Sequence, residues 1–177
     1  RAVEAFTGIS IPTREDMLEI EESSRIYDEG GAHYLTAPLL YNVGTTQAGM
    51  EPVSFILAGQ RLITVRYSSP RAFDLFIARM AKGETDAVRG VMTGKSVLLG
   101  LLEAVTDRLA DLLEDVALRL DREATSLFSE QQTAMNTPRF REAMRLIGRE
   151  GAFLAKVGES LSGIERMTAY LAALANG

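Results

Sequence analysis

The sequence of 177 residues has no cysteine, no tryptophan and one histidine, His33. Without cysteine there are no disulfides, no thiolate nucleophile and no cysteine-ligated metal. A single histidine likewise excludes a histidine-rich catalytic zinc site. No uncharged apolar run approaches about 18 residues, the length of a membrane span, and we expect no signal peptide.

Basic residues are fewer than acidic ones. The chain has 19 Lys and Arg residues and 24 Asp and Glu residues, which gives a net charge of -5. A nucleic-acid binder needs a clustered basic surface, so we expect no nucleic-acid partner. Apolar residues make up 46% of the chain. That content is ample for the core of one domain of this length.

Two long apolar stripes dominate the second half of the chain. The first predicts a helix over residues 95–128, because its members recur at spacings of three and four. They are Leu98, Leu102, Val105, Leu109, Leu112, Val116, Leu120, Ala124 and Leu127. Charged residues lie between them, so the opposite face of this helix is expected to be solvated.

The second stripe predicts a helix over residues 138–174, with Thr137 as N-cap and Pro138 in the first helical position. Its predicted apolar face consists of Phe140, Met144, Ile147, Gly151, Leu154, Gly158, Leu161, Ile164 and Leu171. Since Asn136, Thr137 and Pro138 interrupt the pattern between the two stripes, the two helices should form an antiparallel hairpin.

The N-terminal segment gives weaker signals. Residues 1–11 alternate and predict a strand. Thr13 and Asp16 have the spacing of a capping box and predict the start of a helix. We expect that helix to bury Met17, Leu18, Ile20 and Ile26 and to end in a turn at residues 28–31.

Strand patterns follow over residues 32–43, 53–57 and 62–67. Pro38 in the first indicates an edge or a bulge, and residues 58–61 predict a tight hairpin. Short connections make the strands largely antiparallel. A helix over residues 71–82 should then bury Phe73, Phe76, Ile77 and Met80. The fold class is therefore α+β, an α/β/α sandwich with a mainly antiparallel sheet over residues 1–94 and a long antiparallel helical hairpin over residues 95–177.

Local motifs carry little chemistry. Residues 90–96 read GVMTGKS, which resembles a phosphate-binding loop, but the first glycine is one position too close. Gly94 and Ser96 more simply cap the long helix. His33 could be a ligand or general base, yet no second histidine or cysteine completes a site, which favours a packed or surface residue. No nucleophile, base and orienting group can be assembled, so we expect no enzyme.

Two charged clusters have two interpretations each. An acidic cluster could bind a hard cation, although it better fits a solvated helix face with first-turn carboxylates. It comprises Glu15, Asp16, Glu19, Glu21 and Glu22. An arginine row could meet acidic residues of the first long helix, or a neighbouring subunit. It comprises Arg139, Arg141, Arg145 and Arg149.

Three segments together resemble the cytoplasmic domain of CorA-type divalent-cation transporters. They are PTREDMLEIEESSRIYDEGGAHYLTAPLLYN (residues 12–42), PVSFILAGQRLITVRYSSPRAFD (residues 52–74) and LLEAVTDRLADLLEDVALRLD (residues 101–121). The family's Gly-Met-Asn triplet and its two membrane helices are absent, as expected if this sequence stops before them.

The resemblance implies a homopentamer in the cell (inner) membrane, with this domain on the cytoplasmic side and missing C-terminal helices forming the pore. It implies regulation by Mg²⁺ bound between subunits, with Co²⁺, Ni²⁺ or Zn²⁺ as further candidate cations. Asp74 matches a family aspartate of that regulatory site. The alternative without a metal is that Asp74 is a carboxylate at the start of a helix, where it complements the helix dipole. The alternative function is a soluble helical-hairpin oligomerisation scaffold without a transport role.

Overall fold

The computed structural model of the chain describes residues 2–19, 21, 25–45, 48–84, 92–129 and 137–176. Two short helices come first, four strands follow, and three helices complete the described elements. The α+β class expected from the sequence is therefore confirmed. The elements are α1 (Ala2–Thr7), α2 (Arg14–Met17), β1 (Ile26–Glu29), β2 (Ala32–Tyr41), β3 (Gly49–Ala58), β4 (Arg61–Arg66), α3 (Arg71–Ala81), α4 (Gly94–Ser129) and α5 (Thr137–Asn176).

The four strands form one sheet in the order β1-β2-β3-β4, with every neighbouring pair antiparallel. The predicted β3–β4 hairpin is confirmed, and Gly59 has φ +57° in its turn, the left-handed conformation that glycine adopts without strain. Pro38 lies opposite Pro52 on an interior strand, beyond the residues of β2 that pair with β1. Because β1 has ended there, the missing amide of Pro38 breaks no ladder hydrogen bond with β1.

Both faces of the sheet are covered. One face packs against α3, α4 and α5, and this main core includes Leu35, Phe55, Phe73, Leu98, Leu109 and Met167. The other face carries a smaller cluster of Ala32, Tyr34 and Ile56, against which Ile9 and Ile11 pack. The predicted apolar stripe of α4 is confirmed from Leu98 to Val116. Its members Leu98, Leu102, Val105, Leu109, Leu112 and Val116 are all buried.

Glycines mark two close approaches of helix to sheet. A Cβ on Gly163 of α5 would lie 2.9 Å from Ala37 Cβ and 3.2 Å from Pro38 Cδ of β2. A Cβ on Gly94 at the start of α4 would lie 2.5 Å from the carbonyl carbon of Arg61. The hairpin of long helices is therefore docked on the sheet at points where only a glycine fits.

The N-terminal predictions need two corrections. Residues 2–7 form α1 rather than a strand, because Gly8 adopts φ +70° and its amide bonds the carbonyl of Glu4 at 2.7 Å, closing a helix end. The capping box of Thr13 and Asp16 is confirmed, but α2 ends at Met17. Ile26 belongs to β1, where pairing with β2 outweighs the local helical pattern. Ile20 lies outside the described residues.

Two buried faces were also assigned wrongly. Ile77 of α3 is 57% exposed, because α3 packs through the neighbouring face that carries Ala72, Phe73 and Phe76. On α5 the far part of the predicted stripe is exposed, including Phe140, Met144, Ile147 and Leu154. The prediction is confirmed for Ile164 and Leu171, which are buried. The rest of the buried face is formed by Ala143, Glu150, Val157, Ser160 and Met167, which the prediction did not include.

Candidate metal-binding site

Asp74 lies in the first turn of α3. The chain enters this helix through Pro70, which is extended at φ -62° and ψ 127° and makes no side-chain cap. Ala72 and Phe73 turn into the core, and helical periodicity then directs Asp74 outward, where it is exposed. An ionised carboxylate here complements the positive end of the helix dipole.

Beside Asp74 is a pocket of about 350 Å³ between the end of β2, the start of α3 and the side of α4. Its lining is mostly apolar, and the polar lining residues are Tyr41, Asn42, Thr45, Ser69, Arg71, Asp74 and Arg108. Side-chain oxygens of this kind suit a hard divalent cation. Arg71 and Arg108 oppose a cation unless further carboxylates approach Asp74.

The described part of the chain holds no cluster of three or more His, Cys, Asp or Glu residues that could bind a metal. The acidic cluster near α2 accordingly forms no such group where it is described, and Asp16 instead accepts the Thr13 amide at 2.7 Å. Hydrogen bonding to the Thr13 backbone lowers the pKa of Asp16. Glu22 lies outside the described residues. Asp74 can therefore supply only part of a hard-cation site.

A second pocket, of about 400 Å³, adjoins the first and shares Val43, Thr45, Arg108 and Leu112 with it. Glu150 of α5 lines this pocket and is only 4% exposed. Arg119 of α4 donates to Glu150 through Nη2 at 2.9 Å and through Nε at 3.3 Å. These hydrogen bonds lower the pKa of Glu150 and raise that of Arg119.

The arginine row of α5 was expected to meet acidic residues of α4, whereas this ion pair between the two helices has its acid on α5 and its base on α4. Of the arginine row, Arg149 lies 3.6 Å from Glu150 of its own helix, and Arg139 donates to Ser126 of α4 at 3.4 Å. The sequence did not single out Glu150. Its only signal was its position seven residues, or about two helical turns, from Ala143 and from Val157, the apolar residues that are buried on the same face.

The motif at residues 90–96 does not form a phosphate loop in its described part. The amide of Gly94 donates to the Gln60 carbonyl at 2.8 Å, so it is occupied by the β3–β4 turn. Thr93 and Ser96 cap α4 reciprocally, with Ser96 N to Thr93 Oγ1 at 3.1 Å and Thr93 N to Ser96 Oγ at 2.9 Å. Ser96 therefore caps the helix as expected, and Thr93 is the partner that the sequence did not reveal.

His33 is a partly exposed residue of β2 with two side-chain partners. Its Nδ1 lies 2.5 Å from Asp28 Oδ1 and 2.9 Å from the hydroxyl of Tyr170. Tyr170 also donates to Asp28 Oδ1. These three residues come from β1, β2 and α5, so only the tertiary structure brings them together.

A comparison with protein families identifies the family of the chain. Residues 3–142 match the family described as CorA-like Mg²⁺ transporter protein. The chain belongs to this family.

Curated relatives agree with the family match. The chain is 28% identical over 120 residues to the magnesium transport protein CorA of Escherichia coli (strain K12), covering 68% of this chain and 37% of that protein. It is 28% identical over 130 residues to the protein of the same name from Yersinia pseudotuberculosis, covering 73% of this chain and 40% of that protein. The chain thus spans about two fifths of the length of these relatives. No helix in its described residues is long and apolar enough to cross a membrane.

Proposed function

We propose that this chain is the cytoplasmic regulatory domain of a CorA-like divalent-cation transporter, in which bound Mg²⁺ controls a membrane pore. The proposal is supported by membership of the family and by the exposed carboxylate of Asp74, which lines a pocket together with Asn42, Thr45 and Ser69. Mg²⁺ is the proposed regulatory and transported ion, and Co²⁺, Ni²⁺ or Zn²⁺ are alternative cargoes.

In the proposed mechanism, Asp74 supplies one side of a cation site and a neighbouring subunit of a homopentamer supplies the other. Carboxylates that meet across an interface repel each other. A divalent cation between them converts this repulsion into attraction in one arrangement of the subunits only. Cation binding therefore favours that arrangement, and loss of the cation releases it.

The test is a titration of the purified chain with Mg²⁺, followed by thermal unfolding and by sedimentation. At tenfold excess over Kd, binding to the folded state contributes about 1.4 kcal/mol. For a chain of this size that corresponds to a rise in Tm of about 3–6 °C. Asp74→Asn should reduce the rise, or the accompanying assembly, because the carboxylate ligand is lost.

The matched control is Asp121→Asn, which removes one exposed carboxylate from α4 far along the helix. It should respond to Mg²⁺ as the unmodified chain does. An equal rise in Tm on adding Mg²⁺ in Asp74→Asn and Asp121→Asn would show that Asp74 is not a ligand of the cation. No response to Mg²⁺ in the unmodified chain would contradict a cation site that this chain can fill by itself or with its own copies.

The exposed stripe of Phe140, Met144, Ile147 and Leu154 on α5 favours one alternative, a scaffold that associates with a second copy of this chain. Such association buries apolar surface and needs no cation. Sedimentation in the presence of a chelator separates the two proposals. Association that persists without divalent cations and is lost in Met144→Glu would support the scaffold.

A further inference from the structure

The two pockets described above adjoin and form one groove, which runs from the start of α3 along α4 to the first half of α5. Arginines outnumber acids in its lining, although acids outnumber basic residues in the whole chain. The charged lining residues are Arg71, Arg108, Arg119 and Arg149, with Asp74, Asp115 and Glu150. The groove therefore carries a local excess of positive charge on an acidic chain.

The arginines of the groove differ in how far their donors are already used. Arg119 pairs with Glu150 at 2.9 Å. Arg108 lies where the two pockets meet and its side chain is only 25% exposed, yet its ion pair with Asp111 is 3.7 Å long, beyond hydrogen-bond distance. Within the described part of the chain, no hydrogen bond or ion pair engages Arg71. Arg71 and Arg108 therefore have N–H donors available to a ligand.

The half-buried guanidinium of Arg108 favours an anion. It has five N–H donors, and withdrawing such donors from water without new hydrogen bonds costs free energy. Phosphate oxygens match the planar arrangement of these donors. Arg71 lines the same pocket from α3, and two guanidinium groups on different helices can bond several oxygens of one phosphate. α3 also begins here without a side-chain cap, so the positive end of its dipole adds to the attraction.

Between the arginines, the wall of the groove is apolar. Val43, Leu109 and Leu112 line it, and Phe153 of α5 extends it. The two parts have volumes of about 350 and 400 Å³, within the range of about 300–1,000 Å³ that is usual for small-molecule pockets. An inorganic anion would leave this wall in contact with water, whereas an organic phosphate can cover it.

We propose that this groove binds a small organic phosphate. Arg71 and Arg108 hold the phosphoryl oxygens, and the organic body lies along Leu109 and Leu112. Asp74 lines the same pocket and repels the phosphate, so it lowers the affinity rather than providing it. The inference does not rest on the cation role proposed for Asp74, because the two arginines and the apolar wall carry it.

The test uses phenyl phosphate as the probe with the unmodified chain, in a chelator and at about 0.15 M salt, measured by calorimetry and by NMR. We expect one equivalent to bind and to shift the guanidinium Nε–H resonances of Arg71 and Arg108. Inorganic phosphate should bind about tenfold more weakly, because it leaves the apolar wall uncovered. Phenol, which lacks the anionic group, should not bind at the same concentration.

Variants of the charged lining separate attraction from repulsion. Arg108→Gln and Arg71→Gln should each lower the affinity for phenyl phosphate about tenfold or more, since each removes charge-assisted hydrogen bonds. Asp74→Asn should raise that affinity, because it removes a repelling carboxylate. The matched control is Arg122→Gln, an exposed arginine of α4 that lines neither pocket, and it should bind as the unmodified chain does.

Phenyl phosphate that fails to bind the unmodified chain, or that loses affinity equally in Arg108→Gln and Arg122→Gln, would overturn the assignment. Equal affinities for phenyl phosphate and inorganic phosphate would exclude an organic ligand along the apolar wall. The NMR measurement needs no variant, so a variant that fails to fold leaves the test intact. Absence of phosphate binding with an intact Mg²⁺ response would contradict this site alone, whereas phosphate binding without a Mg²⁺ response would contradict only the proposed regulatory function.

Discussion

The two ends of the helical hairpin carry similar apolar patterns but pack differently. At the near end, most apolar residues between Leu98 and Leu112 of α4 and between Val157 and Leu171 of α5 are buried in the main core. At the far end, α5 leaves Phe140, Met144 and Ile147 between 51% and 53% exposed. The sheet supplies a third layer at the near end only. Periodicity therefore predicts a helix, whereas burial depends on what lies next to it.

Truncating one methionine at each end tests this difference most strongly. Met167 is 0% exposed and Met144 is 52% exposed. Met167→Ala should lower the free energy of unfolding by about 2–5 kcal/mol, because it leaves a cavity between α5 and the sheet. Met144→Ala should change it by less than about 0.5 kcal/mol. Urea denaturation of both variants measures the two values, and equal losses would contradict the comparison.

The half-buried ion pair of Arg119 and Glu150, which lies between the two ends, is the next test. Glu150→Ala should cost about 2 kcal/mol, because Arg119 loses its carboxylate partner but is exposed enough to recover hydration. Glu142→Gln, at an exposed position of α5, is the control and should have little effect.

The same ion pair should make the free energy of unfolding depend on pH. The folded-state pKa of Glu150 is lowered by Arg119, so its stabilising contribution is present above the ordinary glutamate pKa of about 4.3. It is lost as pH falls through the lower folded-state value. The stability difference between the unmodified chain and Glu150→Gln should therefore shrink in acid. A difference that stays constant from pH 7 to pH 3 would exclude this ion pair as its cause.

Replacing a glycine by alanine should change the free energy of unfolding least of all these substitutions, and with opposite signs at the two ends of the hairpin. Gly151→Ala should stabilise by up to about 1 kcal/mol, because nothing lies within 4 Å of the added Cβ and alanine favours a helix. Gly163→Ala should destabilise by about 1 kcal/mol, since contact with Ala37 and Pro38 outweighs the same helical gain. Thermal unfolding of both variants is the measurement, and a shared sign would contradict the close approach at Gly163.

Much of the architecture was predictable because it depends on local patterns. The β3–β4 hairpin follows from a glycine turn between alternating strands, and the α4 stripe follows from a long unbroken period. The N-terminal strand was wrong because an alternating pattern over residues 1–11 is too short to separate a strand from a helix. The metal role of Asp74 rests on the family resemblance and remains a proposal.

By itself, the sequence determined the secondary structure of the long elements, the antiparallel connections and the family. All three depend on the spacing and the order of residues along the chain. Only the tertiary structure decided which face of α5 is buried, that Glu150 pairs with Arg119, and that Asp28, His33 and Tyr170 meet. Apart from Asp28 and His33, which face each other across the β1–β2 hairpin, these contacts join residues far apart in sequence. Their geometry depends on how helices dock on the sheet, and a one-residue shift around a helix, about 100°, exchanges a buried face for an exposed one.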